Sequence, residues 1–593
     1  MNIRKCLTVL IFSLILPCGK AVAGEPFESL RSRQLWGFKV DVPRDSIRLS
    51  DPCILADKES GLYYMTGTSG KLWISRDLDK WTGPYRLIEP DTTSWMGRNP
   101  EIWAAELHLY NGKYYCFATF TNKEVNIGSF KGMNLPRRAT HVMVSDVSWG
   151  PYRPVSDENY LPEDCPTLDG TFWVDSDGKP YMVYCGEWIS NWDGTMERVR
   201  LKDDLSGSIG DGKLLFKASA SPWSREKLDG KIVPNRVTDG PWLFRTDTGR
   251  LGMIWTSWIY GIYTQGVAYS ESGNIDGPWV QEEKPITPPD HGHGMLFKDL
   301  SGRWLMSVHS HRNAHGNYIR IPQIFEVDLS GDKLKVGKKL VWSDEFNTDG
   351  PINGLYWNFE NGFVRNHEDQ WYQTENAYCK DGLLVLEARK ENRPNPLYRE
   401  GAKDWRSSRP TIDYTSASVN TRGKQEFQYG TLEVRARIPV APGAWPAIWT
   451  LGKDMPWPSN GEIDVMEYYR IDDIPHILAN AAWGKDKPYD AKWNSKAVPF
   501  EKFLEKDSDW TSKFHIWRLD WDKDYLRIFL DDELLNEISL EDTYNGKIGN
   551  GSNPMRQPHY VLLNLALGGD HGGEILRDAL PMKYEIDYVR IYQ

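Results

Sequence analysis

Gly461-Glu-Ile-Asp-Val-Met-Glu-Tyr-Tyr469 carries three carboxylates within six residues, interleaved with apolar side chains. Such alternation is the pattern of a half-buried β-strand. On a regular strand Glu462 and Asp464 share one face, while Glu467, five residues from Glu462, points to the other. One extra residue at Val465-Met466, a β-bulge, returns Glu467 to the face of the first two. Three adjacent carboxylates repel one another, a cost that water or a chemical task must justify. The strand alone leaves two readings open: a solvated acidic face, or an acid/base pair with a third group beside it.

The surroundings favour the second. Gly443-Ala-Trp-Pro-Ala-Ile-Trp449 supplies Trp445 and Trp449, and Asn366, Trp371 and Tyr372 add an amide and two more flat rings. Sugars present apolar faces and hydroxyl rims, so aromatic platforms beside carboxylates suit a glycan cleft, although each Trp alone also fits an ordinary core. From Trp342 to Gln593, short alternating stretches such as Tyr429-Gly-Thr-Leu-Glu-Val-Arg-Ala-Arg437 and Tyr525-Leu-Arg-Ile-Phe-Leu530, with little helical periodicity, predict a β-sandwich.

Trp342-Ser-Asp-Glu-Phe346, Asp381-Gly-Leu-Leu-Val-Leu-Glu-Ala-Arg389, the Tyr429 stretch, Glu462-Ile-Asp-Val-Met-Glu467 and Leu563-Asn-Leu-Ala-Leu-Gly-Gly569 together resemble glycoside hydrolase family 16, the laminarinase-like retaining endo-glycanases with a β-jelly-roll fold. The resemblance implies Glu462 as nucleophile, Glu467 as general acid/base and Asp464 as the residue that holds and tunes the nucleophile. Retention needs the two carboxyl groups about 5–5.5 Å apart, which same-face positions on one bulged strand supply, and Glu467 needs a raised pKa to arrive protonated. A β-1,3- or mixed-linked glucan is the commonest substrate type that it implies; galactans and other β-glycans are the alternative. No cofactor is required for the chemistry, and a structural calcium far from the cleft is implied with Asp587 as a side-chain ligand. Residues 470–513 offer no template from which to read specificity.

Toward the N-terminus a different pattern recurs: Gly61-Leu-Tyr-Tyr-Met-Thr66, Gly112-Lys-Tyr-Tyr-Cys-Phe117, Gly178-Lys-Pro-Tyr-Met-Val183, Gly249-Arg-Leu-Gly-Met-Ile254 and Gly302-Arg-Trp-Leu-Met-Ser307. Five turn-plus-strand units at near blade-sized spacing predict a five-bladed β-propeller, a plain β-meander being the alternative. Asp51-Pro52, Asp169-Gly170 and Asp239-Gly240-Pro241 stand before strand pairs, where matching positions converge on the axis, although Asp-Gly and Asp-Pro also simply make turns. The region from Leu49 to Leu329 resembles glycoside hydrolase family 43. That resemblance implies Asp51 as general base of an inverting mechanism and Asp169 as the residue that orients the acid. It places the acid at Asp239, where the family has Glu, with Glu187 a second candidate. His293 matches a histidine near an axial ion or water.

The fold class is therefore all-β: a five-bladed β-propeller over residues 24–335, then a β-jelly-roll sandwich over 336–593. With 71 Lys and Arg against 82 Asp and Glu, the net charge of −11 is the wrong sign for nucleic-acid or anionic-membrane partners, while the two resemblances imply a polysaccharide substrate. Met1-Asn-Ile-Arg-Lys5, the apolar run Cys6 to Leu16 and Ala21-Val-Ala23 read as a signal peptide, residues 1–23, cleaved after Ala23 to give a secreted or periplasmic product. Cys18 offers a lipoprotein alternative that Pro17 disfavours. No later stretch has the apolar length of a membrane helix. Cys53, Cys116, Cys165, Cys185 and Cys379, an odd set without metal-ligand spacing, read as small core hydrophobes.

Overall fold

The computed structural model describes residues 26–228, 231–312 and 316–593; the expected signal peptide and Cys18 lie outside them. Five antiparallel sheets follow one another along the N-terminal half. Their innermost strands are Cys53–Asp57, Glu101–Tyr110, Thr167–Val174, Asp239–Arg245 and His291–Lys298. Each blade is one contiguous stretch of chain, and Gln34–Pro43 pairs with the outermost strand of blade one as a fifth. The five Gly-led repeats have a shared structural cause. Gly61, Gly112, Gly178, Gly249 and Gly302 all take positive φ, between 67° and 92°, at the turn from the first to the second strand of their blades, where a side chain would be strained. Blades cover one another on both faces, so Leu62–Thr66 buries all five side chains and strict alternation is lost.

The stretch expected to hold the domain boundary is a strand, β1 (Lys335–Asp344). Its first half pairs with Ile321–Asp328 as the outer strand of blade five, and its second half pairs with the last strand of the chain, through Leu340↔Tyr592 and Asp344↔Val589. One apolar cluster joins Ile54 and Tyr63 of blade one, Phe297 and Leu305 of blade five, Leu340 and Tyr592. Polar contacts close the same seam: Tyr356 Oη donates to Asp77 Oδ2 (2.8 Å), and Glu345 accepts from Arg303 (3.3 Å) and Arg590 (2.8 Å).

The C-terminal half is two packed sheets. The sheet that carries the site contains β2 (Ala444–Gly452), β3 (Glu462–Ile471), β4 (Ile474–Gly484), β5 (Ala491–Pro499) and β6 (His559–Leu567), in the order β6-β2-β3-β4-β5. Ile448, Ile463, Val465, Met466 and Ile477 from this sheet meet Leu432, Trp517, Ile528 and Ile586 from the other. The stretch without a template supplies β4, β5 and the helix Glu501–Lys506. Cys53, Cys116, Cys185 and Cys379 are buried, Cys165 is half-buried, and all five are free.

Candidate active sites

β3 carries the predicted bulge. Asp464 faces Trp449 on β2 and Asn480 on β4, whereas Glu467 faces Ala447 and Leu478, so three residues of β3 advance against two on each neighbour. Val465 and Met466 both enter the core, neither with measurable exposure. Burying them contributes ~1.5–3 kcal/mol each, more than the roughly 1 kcal/mol of a lost ladder hydrogen bond, so the core fixes the bulge. Glu462, Asp464 and Glu467 consequently line one cleft of about 610 Å³.

Each carboxyl group has its own setting. Trp457 Nε1 donates to Glu462 Oε2 (2.7 Å). Trp445 Nε1 donates to Glu467 Oε1 (3.1 Å), and Asn480 Nδ2 to Glu467 Oε2 (3.1 Å). Burial raises Asp464 furthest, and the charges of Glu462 and Glu467 add to it, so Asp464 stands well above the carboxylate range as a proton donor to Glu462. Burial also raises Glu462, against the pull of Trp457, the Arg365 charge and the hydrogen bond from Asp464. Glu467 is raised by burial and then by the charge of Glu462. That arrangement keeps one carboxylate anionic beside one that holds a proton.

Trp445, Trp449 and Asn366 line the cleft as the sequence indicated. Trp371 does not: it alternates with buried Gln370 and Tyr372 on its short strand, and its ring meets Phe363 edge-on at 5.4 Å, away from the carboxylates. Tyr372 is buried and accepts from Asn564. The sequence reading missed Arg365, Glu368, Trp457, Tyr469, Asn480, Trp493, Asn564 and His571, which complete the wall. Trp457, five residues before Glu462, was the legible one among them; Asn480, Trp493 and Asn564 arrive through strand pairing, and Arg365, Glu368 and His571 from segments outside the strands.

On the propeller axis the equivalent positions differ from expectation. Asp51, Ala104, Asp169, Gly240 and His293 all take positive φ, between 40° and 59°, one in each blade, and in blades two to five the innermost strand shifts register there. Asp51 and Asp169 are therefore matched with His293, while Asp239 precedes its blade's equivalent, Gly240, by one residue. Glycine stands there for a reason: a Cβ on Gly240 would meet the His293 ring at 2.7 Å.

His293 Nδ1 lies 3.2 Å from Asp51 Oδ1 and 3.8 Å from Asp169 Oδ2. Asp51 also accepts from Thr68 Oγ1, and its N–H donates to His309 Nδ1 (3.0 Å). Burial opposes ionisation of Asp51, but His293, His309 and Arg320 outweigh it and hold its pKa below the usual value. Burial raises Asp169 to about 8 despite His293, with Asp239 and Asp51 adding to the effect. Asp239, which accepts from Tyr263 Oη (3.2 Å), is raised to about 6, again chiefly by burial. Glu187 is held by Arg138, which stacks over Trp103 at 4.0 Å. Burial raises the Glu187 carboxyl above its ordinary value, with the Arg138 charge and hydrogen bond pulling the other way. The buried Glu106, hydrogen-bonded to His108 Nε2 (3.0 Å), is a further carboxylate of blade two that the sequence reading missed.

The implied calcium ligand does not fit its role. Asp587 is paired with the Arg435 guanidinium, which occupies the carboxylate and would repel a cation. Among the described residues no group of three or more His, Cys, Asp or Glu is arranged to hold a metal ion. His293 spends its Nδ1 on carboxylates, while its buried Nε2 has no hydrogen-bond partner among the described residues.

Two all-β units with buried carboxylates of divided protonation, those of the jelly roll lining a sugar-suited cleft, define a polysaccharide-degrading glycoside hydrolase. The models of glycosyl hydrolases family 43 and glycosyl hydrolases family 16 match residues 43–330 and 364–590. A β-glucanase of Rhodothermus marinus is 32% identical over 268 residues, which are 43% of this chain and 85% of that protein. The glucan endo-1,3-beta-glucosidase A1 of Niallia circulans is 26% identical over 281 residues, 44% of this chain and 39% of that protein. The solved endo-arabinase from Bacteroides thetaiotaomicron VPI-5482 is 36% identical, covering 48% of this chain and 96% of that one, with a TM-score of 0.42. The chain belongs to glycosyl hydrolases family 16 through its jelly roll, and its propeller matches the family 43 model over residues 43–330.

Proposed function

We propose that the jelly roll cuts internal bonds of a β-1,3- or mixed-linked glucan with retention of configuration. Glu462 attacks the anomeric carbon, and Glu467 protonates the departing oxygen and then deprotonates the incoming water. Asp464 shares its proton with Glu462, which orients the nucleophile and stabilises its charge. The bulge that sets Glu467 on the face of Glu462 carries this reading. Sugar-facing groups on both sides of the carboxylates suit a chain that runs through the cleft rather than ending in it, and the related β-glucanases point to a glucan. The crowd of carboxylates favours a neutral glycan over an acidic one. Neither half-reaction needs a metal or cofactor. The chain is exported after cleavage behind Ala23.

The propeller, in the same reading, removes side-chain sugars from chain ends with inversion. Anionic Asp51 serves as base, Asp239 as acid, and Asp169 as the protonated neighbour. The offset and shortened Asp239 favours a second reading, in which this half binds glycan without cutting it. Purified β-glucans, galactans and arabinoxylans incubated with the parent, Glu462→Gln and Asp51→Asn test both. Long glucan fragments from the parent and a more than ~1,000-fold loss in folded Glu462→Gln support the jelly-roll assignment. Turnover retained in Glu462→Gln contradicts it. Monosaccharide release that Asp51→Asn abolishes separates a cutting propeller from a binding one.

A further inference from the structure

β5 is the open edge of the site-bearing sheet, and Trp493 stands on it 47% exposed, its ring in the cleft wall with Ser495. The residue between them points the other way: Asn494 Oδ1 accepts from Asn536 Nδ2 (3.2 Å) of the opposite sheet. That alternation fixes Trp493 on the carboxylate face. Edge strands are ordinarily protected by charge, as Lys492 and Lys496 protect this one, so a large exposed ring facing the cleft stands out.

Register gives its distance from the chemistry. Glu462 pairs with Ala482, and Ala482 with Trp493. Trp493 therefore lies on the row of Glu462, two inter-strand spacings away, or ~10 Å. A pyranosyl unit spans about one such spacing, ~5 Å. With the reacting carbon over β3, the ring lies under the second sugar from the broken bond. On the opposite side, Trp449 on β2 and Asn564 on β6 stand with Arg365, Asn366 and Glu368 in a crowded polar wall. In a retaining displacement the leaving half must depart before water enters, and the open β5 side provides that exit.

We propose that Trp493 is the stacking platform for the second sugar on the leaving-group side, and that it gives the jelly roll its preference for long chains. This rests on the retaining endo reading above. A β-1,3-gluco-hexasaccharide labelled at its reducing end is the probe, cleaved by the full-length parent, Trp493→Ala and Trp493→Phe, with melting curves to confirm folding. Trp493→Ala is expected to raise KM about tenfold and to shift cleavage away from bonds that leave two or more sugars on the departing side. Trp493→Phe is expected to restore most of the parent pattern. An unchanged KM and bond pattern in Trp493→Ala, with a parent that cuts internally, overturns the platform alone. A parent that releases only single sugars from chain ends overturns the endo reading and the platform with it.

Discussion

Asp464 shows how a single residue divides its effects between stability and chemistry. Its folded-state pKa is raised by burial and by Glu462 and Glu467, whereas an unfolded Asp titrates near ~3.9. Between those values the folded state binds the extra proton, so the group's contribution to stability is full below the unfolded value and falls as pH rises. Asp464→Asn removes that loss. Its melting temperature should exceed the parent's by a few degrees at pH 8, and the gap should close toward pH 4. An equal gap at both pH values would mean that Asp464 is not the proton holder. That Glu462, Asp464 and Glu467 line one cleft was legible, because their spacing on a strand calls for a bulge that brings them to one face. Trp371 was misread because a local list of aromatics does not say which face each occupies. The one-residue offset of Asp239 from Gly240 was not legible, because a bulge cannot be seen in a turn motif.

At the scale of elements, the bulge in β3 is the device that makes one strand a catalytic site. Deleting Val465 leaves a strand whose alternation sends the acid at position 467 toward the core, or else turns the core residues outward. Such a deletion should abolish glycan cleavage and lower stability by roughly 1.5–3 kcal/mol, one buried side chain's worth. Circular dichroism and a denaturant melt would check the second effect. A folded deletion variant with near-parent activity would show that the bulge is dispensable. The bulge was predictable because the spacing of the acids demanded it. β4 and β5 were not, because residues 470–513 mix exposed and buried positions on a hairpin with the core against one face and the ligand wall on the other.

At the scale of the whole molecule, β1 belongs to both domains. The boundary expected between residues 335 and 336 falls inside a strand, since the pairing of Lys335–Asp344 completes blade five before it enters the sandwich. A propeller fragment that stops at residue 330 therefore lacks the outer strand of its last blade. The fragment 24–344 should be soluble and melt cooperatively, whereas 24–330 should melt at least several degrees lower or aggregate through its exposed edge. Equal melting of the two would show that β1 contributes nothing to the propeller. The five blades themselves were legible from their glycine turns, since each blade repeats the same backbone requirement.

The central claim is that Glu462 and Glu467 act as nucleophile and acid/base across one sugar, and stereochemistry tests it most directly. Proton NMR of the first-formed product from a β-1,3-glucan, with the full-length Asp51→Asn variant so that the propeller is silent, reads the anomer before mutarotation. Initial appearance of the β-anomer is the predicted result. Initial appearance of the α-anomer would contradict it, because inversion would require a water between the two carboxyl groups and leave Glu462 no covalent role.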